Sequence, residues 1–213
     1  MTGTFRKLFP TFVCIFIVTG LANTGGCASG SYAAKGAGEG ATTGAVAGAV
    51  GGMFTALVFG GDVAEAGARG AVYGGTTGAV VGGMSGSKAD KAVAAQKEAD
   101  RQAALKKFEE EVGADAFNGV VALAECKHDI AIANAKEATK SKQSDYVLAG
   151  VWVQALTEVD RKNQAAASAL YPEIVKRDRN IKTEADAEAR LGETLQELAN
   201  IRVEYGLPAA CST

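Results

Sequence analysis

Hydrophobic and polar positions divide the chain into three regimes. Apolar residues run together from Leu8 to Leu21, directly behind Arg6 and Lys7. Charge then almost vanishes and glycine sets the beat. Gly36, Gly40, Gly44, Gly48 and Gly52 recur every four residues, and Gly70, Gly74, Gly78, Gly82 and Gly86 do so again. From Lys88 onward charged residues alternate with alanine, and larger apolar residues return at helical intervals. A spacing of four places residues one turn apart on one face of an α-helix. The pattern predicts an all-α chain: a helical hairpin over 36–87, an Ala-rich charged helix or linker over 88–113, and an α-helical domain over 114–213.

Composition sharpens the first boundary. Of 27 glycines, 17 lie between Gly36 and Gly86, and residues 1–88 hold only 5 of the 22 Lys+Arg and 3 of the 24 Asp+Glu. That shift marks a domain boundary near Ser87. The segment "GATTGAVAG" at 40–48 matches "GGTTGAVVG" at 74–82, so two copies of one unit are present. In water each interior glycine costs a helix about 1 kcal/mol relative to alanine. In lipid a helix is enforced by its own backbone, and glycine lets two helices approach closely. Ala41–Gly61 holds 21 uncharged residues and Ala71–Ser87 holds 17. Glu39 and Asp62 flank the first run, and Arg69 and Lys88 the second. The expectation is a transmembrane hairpin whose ten zipper glycines form the packing surface, with Asp62–Arg69 as a turn outside lipid. The alternative is a flexible glycine-rich linker. Gly36-Ala-Gly38-Glu-Gly40 only approaches a dinucleotide fingerprint; it follows no strand and opens no βαβ unit.

The third regime divides into helices. Residues 88–112 read as a solvated helix that Gly113 ends. Helix pairs follow, bending near Lys127–Asp129 and again near Asp160–Asn163. Gly119, Ala131, Ala135 and Ala138 have the relative positions 0, 12, 16 and 19, and Ala155, Ala167, Tyr171 and Ile174 repeat them 36 residues on. Small residues at those points are where antiparallel helices touch. The arrangement resembles two degenerate tetratricopeptide repeats, and a four- or five-helix bundle is the equal alternative. Thr183-Glu-Ala-Asp186 resembles a capping box. The stripe Leu191, Leu195, Leu198 and Ile201 follows, and Gly206 with Pro208 stops it, which predicts a capping helix.

The N-terminus reads as an export signal, residues 1–26: a short basic stretch, an apolar core and small residues after it. Gly25-Gly26-Cys27 resembles the lipobox of bacterial lipoproteins, with Thr24 where that family usually has Leu. The resemblance implies a lipid on Cys27 and a short lipidated linker over 27–35. Ala28 after the cysteine implies sorting to the outer membrane, the inner membrane being the alternative. Cys27 and the glycine rows together resemble the glycine-zipper two-helix lipoproteins, the SlyB-like and rickettsial surface-antigen group. That likeness implies an oligomerising envelope lipoprotein. Two crossings would return residues 88–213 to the periplasm.

Candidate chemistry is sparse. His128 is the one histidine, and Cys126-Lys-His128 has no second ligand pair nearby in sequence, so neither metal nor cofactor is expected. His128 falls at a helix bend and is expected to be exposed or capping. No Gly-x-Ser-x-Gly elbow is present. Acidic and basic residues alternate at helical spacing, as on a solvated surface; no enzymatic activity is expected. An exported chain meets an oxidising compartment. A disulfide between Cys126 and Cys211 is one expectation, and two free thiols, with Cys126 buried, is the other. Net charge of −2 gives no basic field for nucleic acid. The expected partners are membrane lipid, further copies of the chain through the zipper, and a periplasmic protein. The expected function is structural: envelope integrity or assembly. A pore or transport component, or an adaptor of a secretion machine, is the alternative.

Overall fold

Two glycines in the left-handed region turn the chain back on itself. Gly60 has φ +88° and Gly61 φ +135°, angles an L side chain resists. They end α1 (Tyr32–Phe59) and lead into α2 (Val63–Gly75). The computed structural model describes residues 32–75 and 88–211. The signal segment, Cys27, Gly78, Gly82 and Gly86 lie outside the described residues. The Asp62 carboxylate accepts the Glu65 N–H at 2.8 Å and caps α2. Glu65 pairs with Arg69 one turn on. The stretch Asp62–Arg69, expected as an irregular turn, is therefore mostly helix. Its charges serve a helix start, and the turn contracts to three residues.

The remaining elements are α3 (Lys88–Val112), α4 (Ala114–Ala124), α5 (His128–Ala138), α6 (Ser144–Asp160), α7 (Gln164–Ser168), α8 (Tyr171–Arg177) and α9 (Glu184–Glu204). Every element among the described residues is helical. Gly113, at φ +84°, separates α3 from α4. A Cβ there would lie 2.7 Å from the Tyr146 ring, and the Tyr146 hydroxyl donates to the Glu110 carbonyl at the end of α3. Thr183 and Asp186 form the full reciprocal capping box of α9. The bends fall at 125–127 and 161–163. In the second pair the return helix breaks into α7 and α8, with Pro172 in the first turn of α8.

Residues Ser31–Thr213 make one compact unit. The helix α6 runs through its middle, with Trp152, Val153, Ala155 and Leu156 all fully buried. The Trp152 indole donates to Asp178 at 3.0 Å, and the Asn180 N–H takes the other carboxylate oxygen. The apolar core does not stop at Ser87. Val50, Met53, Phe54 and Leu57 of α1 are at most 2% exposed, in one cluster with Phe108, Val112, Val120, Leu123, Leu198 and Ile201. Arg190 of α9 donates to the carbonyls of Ala56 (2.9 Å) and Gly61 (2.6 Å), fastening the hairpin turn to the body.

The glycine faces meet across the hairpin. A Cβ on Gly52 would stand 2.2 Å from the Ala66 carbonyl oxygen, and one on Gly70 equally close to that of Gly48. The backbones of α1 and α2 are thus in direct contact at these glycines. No helix among the described residues is long and apolar enough to cross a membrane.

Candidate functional site

The most concentrated chemistry gathers where α4, α5, α6 and α9 end. Asp160 is the last residue of α6, His128 the first of α5, and Arg202 lies in the last turn of α9. Their side chains are 5%, 12% and 0% exposed. Arg202 grips Asp160 with both arms, Nη1 to Oδ1 at 2.9 Å and Nη2 to Oδ2 at 2.7 Å. Its Nη2 also donates to the Leu123 carbonyl at 2.6 Å, and its Nε to that of Ala124 at 3.2 Å. These carbonyls close α4, so the guanidinium satisfies acceptors at a helix C-terminus, where positive charge is favoured. His128 Nε2 meets Asp160 Oδ2 at 2.8 Å.

A disulfide lies against this network. Cys126 and Cys211 are bonded, with 5.5 Å between their Cα atoms. Cys126 sits in the α4–α5 turn at φ +61°, and Cys211 ends the tail after Pro208. The Cys211 sulfur lies 3.4 Å from Asp160 Oδ2; bonded to Cys126 it carries no hydrogen to donate, so this is a packing contact. Burial disfavours ionising Asp160, but hydrogen bonds from Arg202 and His128 and their charges outweigh it and hold the carboxyl below its usual range. No buried side-chain nitrogen or oxygen among the described residues lacks a partner.

Cys126 and Cys211 come together. Gly48, Gly52 and Gly70 lie on the α1–α2 seam. Gly36, Gly40 and Gly44 fall within α1 and Gly74 within α2. His128, expected exposed or capping, is instead nearly buried against Asp160, because the α6 end and the C-terminal tail cover the bend. Charge alternation places Asp160 and Arg202 on a solvated surface, whereas the fold buries both. Their spacing carried a signal: Asp160 stands four after Leu156, and Arg202 four after Leu198, each continuing a buried stripe. The sequence offers no ligand pair near Cys126 and His128, yet the fold brings ligand atoms of His128, Asp160 and Cys211 to within 4.8 Å of one another.

A second concavity, of about 640 Å³, opens between α1, α2 and α3. Glycines floor it, Phe108 and Leu105 form a wall, and Glu65, Arg69 and Lys107 stand at its rim. Comparison with protein-family models, curated proteins and solved structures finds no match to this chain.

Proposed function

We propose that the chain is a bacterial envelope lipoprotein, anchored through lipid on Cys27, whose helical body serves a structural or assembly role by docking a periplasmic protein. The observation that carries the reading is the order of segments: basic residues, apolar run, small residues, then Cys27 five positions before α1. Pairing of every buried polar side chain among the described residues is compatible with a scaffold. The glycine-zipper hairpin is the membrane-proximal part in this reading. A bilayer-crossing form of it requires the Gly60–Asp62 turn to leave Arg190 and the core to give up Met53, Phe54 and Leu57. Lipid on Cys27 makes such a crossing unnecessary for anchoring when more than one acyl chain is present. Association between copies belongs to the same reading, through zipper glycines other than Gly48, Gly52 and Gly70, which the intrachain seam occupies.

Mass spectrometry of the mature protein tests the anchor. The expected N-terminal peptide begins at Cys27 and carries acyl chains; an unmodified peptide beginning elsewhere refutes it. In-cell crosslinking followed by pull-down of the full chain tests the role. A periplasmic protein crosslinked to residues 88–213 is expected, and loss of that product in a Cys27→Ala chain ties docking to anchoring.

A further inference from the structure

We propose that Cys126, Cys211, His128 and Asp160 constitute a redox-gated site for a single zinc ion, open when the disulfide is reduced and closed when it forms. The donor set is the first ground. His128 Nε2, an Asp160 carboxylate oxygen and Cys211 Sγ already lie within 4.8 Å of one another, and Cys126 Sγ is bonded to Cys211 Sγ. Two thiolates, an imidazole and a carboxylate are a zinc ligand set, with bonds of about 2.0–2.3 Å that put tetrahedral donors roughly 3.4–3.8 Å apart. The His128–Asp160 contact of 2.8 Å has to open by roughly half an ångström to reach that separation. The sulfurs separate once their bond is broken. Cys211 ends an exposed stretch, Pro208–Ala210, that gives its sulfur room to move.

Charge balance is the second ground. Two thiolates and one carboxylate carry three negative charges, zinc two positive, and Arg202 one more, so the buried cluster is neutral. Arg202 is the outer-shell partner such a site needs. Its Nη1 holds Asp160 Oδ1 at 2.9 Å, which leaves Oδ2 to turn to the metal. Its Nη2 stays on the Leu123 carbonyl. With the disulfide formed, the same Arg202 and Asp160 neutralise each other and the sulfurs hold no charge.

The step between them is a two-electron exchange. A dithiol gives two electrons and two protons; the Cys126–Cys211 S–S bond breaks, two thiols form, and the dithiol becomes its own disulfide. Zinc then displaces the two thiol protons to solvent.

The test uses the full-length protein in detergent, oxidised or reduced without air by a phosphine, dialysed against zinc and analysed for bound metal. One zinc per reduced chain and none per oxidised chain are expected. Cobalt(II) in place of zinc should give the absorption of a tetrahedral site with two thiolates. His128→Ala keeps both cysteines and the disulfide; compared with the natural chain at equal helicity by circular dichroism, its zinc affinity should fall at least about tenfold. Cys126→Ser with Cys211→Ser should bind none in either condition. A reduced chain that takes up no zinc, whether or not it keeps its helicity, overturns the proposal. So does a reduced His128→Ala chain with unchanged affinity, which would be simple dithiol chelation.

Discussion

Arg202 carries a full charge where water does not reach, and four hydrogen bonds to Asp160, Leu123 and Ala124 make that position tolerable. Removing one member of a buried pair leaves the other uncompensated and costs about 3–5 kcal/mol. Asp160→Ala should lower the urea unfolding free energy by that amount. Replacing Asp160 by Leu and Arg202 by Met together should recover much of it, since an apolar pair leaves no orphan charge. The carboxyl of Asp160 is held below its usual range in the fold. Its contribution is therefore complete above the unfolded-state value of about 3.9 and disappears as pH falls through the lowered folded value. Thermal scans from pH 5 downward should show a steeper loss of midpoint in the natural chain than in Asp160→Asn. Arg202 and Asp160 went unread in the sequence because a charge at helical spacing has the same letters on either face. Only the apolar stripe running into each position hinted at burial.

The α1–α2 hairpin shows how one pattern admits two solvents. Spacing every fourth residue fixes that the glycines share a face. It does not say whether that face meets helices of other chains in lipid or another helix of the same chain. At Gly52 and Gly70 the partner is the other arm's backbone, at a separation no Cβ fits. Gly70→Val should cost at least about 3 kcal/mol, at the upper end of overpacking effects, and should detach α2 as judged by hydrogen exchange of Val63–Gly70. The contrast lies on α9. Nothing approaches a Cβ on Gly192, so Gly192→Ala should raise stability by about 1 kcal/mol, the helix-propensity difference alone. Other elements were legible because their signals are local. Gly113 at φ +84° and the Thr183–Asp186 box end and begin helices by their own backbone chemistry. The break between α7 and α8 has a local signal in Pro172, which lacks the N–H that a continuous helix would donate to the Ser168 carbonyl and so falls in the first turn of a new helix.

At the scale of the whole molecule, the boundary seen in composition is not a boundary in the core. Met53, Phe54 and Leu57 cover Phe108, Val112 and Leu198 from the far side of Ser87. A fragment beginning at Lys88 should therefore keep helical circular dichroism but bind a hydrophobic dye and lose its cooperative transition, whereas the chain from Ser31 should melt in one step. The disulfide joins residues 85 apart in sequence. By chain entropy a closed loop of that length contributes about 4–5 kcal/mol, and Cys211→Ser should lower the unfolding free energy by several kcal/mol at constant helicity.

The sequence by itself determined the local facts: which stretches are helical, where glycine or a cap ends them, and which face of each helix is apolar. These depend on backbone propensity and on spacing along one chain. What covers each face was decided only in three dimensions. Val50, Met53, Phe54 and Leu57 of α1 became core, Gly48, Gly52 and Gly70 joined a seam between two arms of the same chain, and His128, Asp160, Arg202, Cys126 and Cys211 converged from four helix ends and a tail. Burial and polar pairing between residues from 32 to 134 positions apart have no period. They arise from the packing of whole helices, which fixes their depth and angle together.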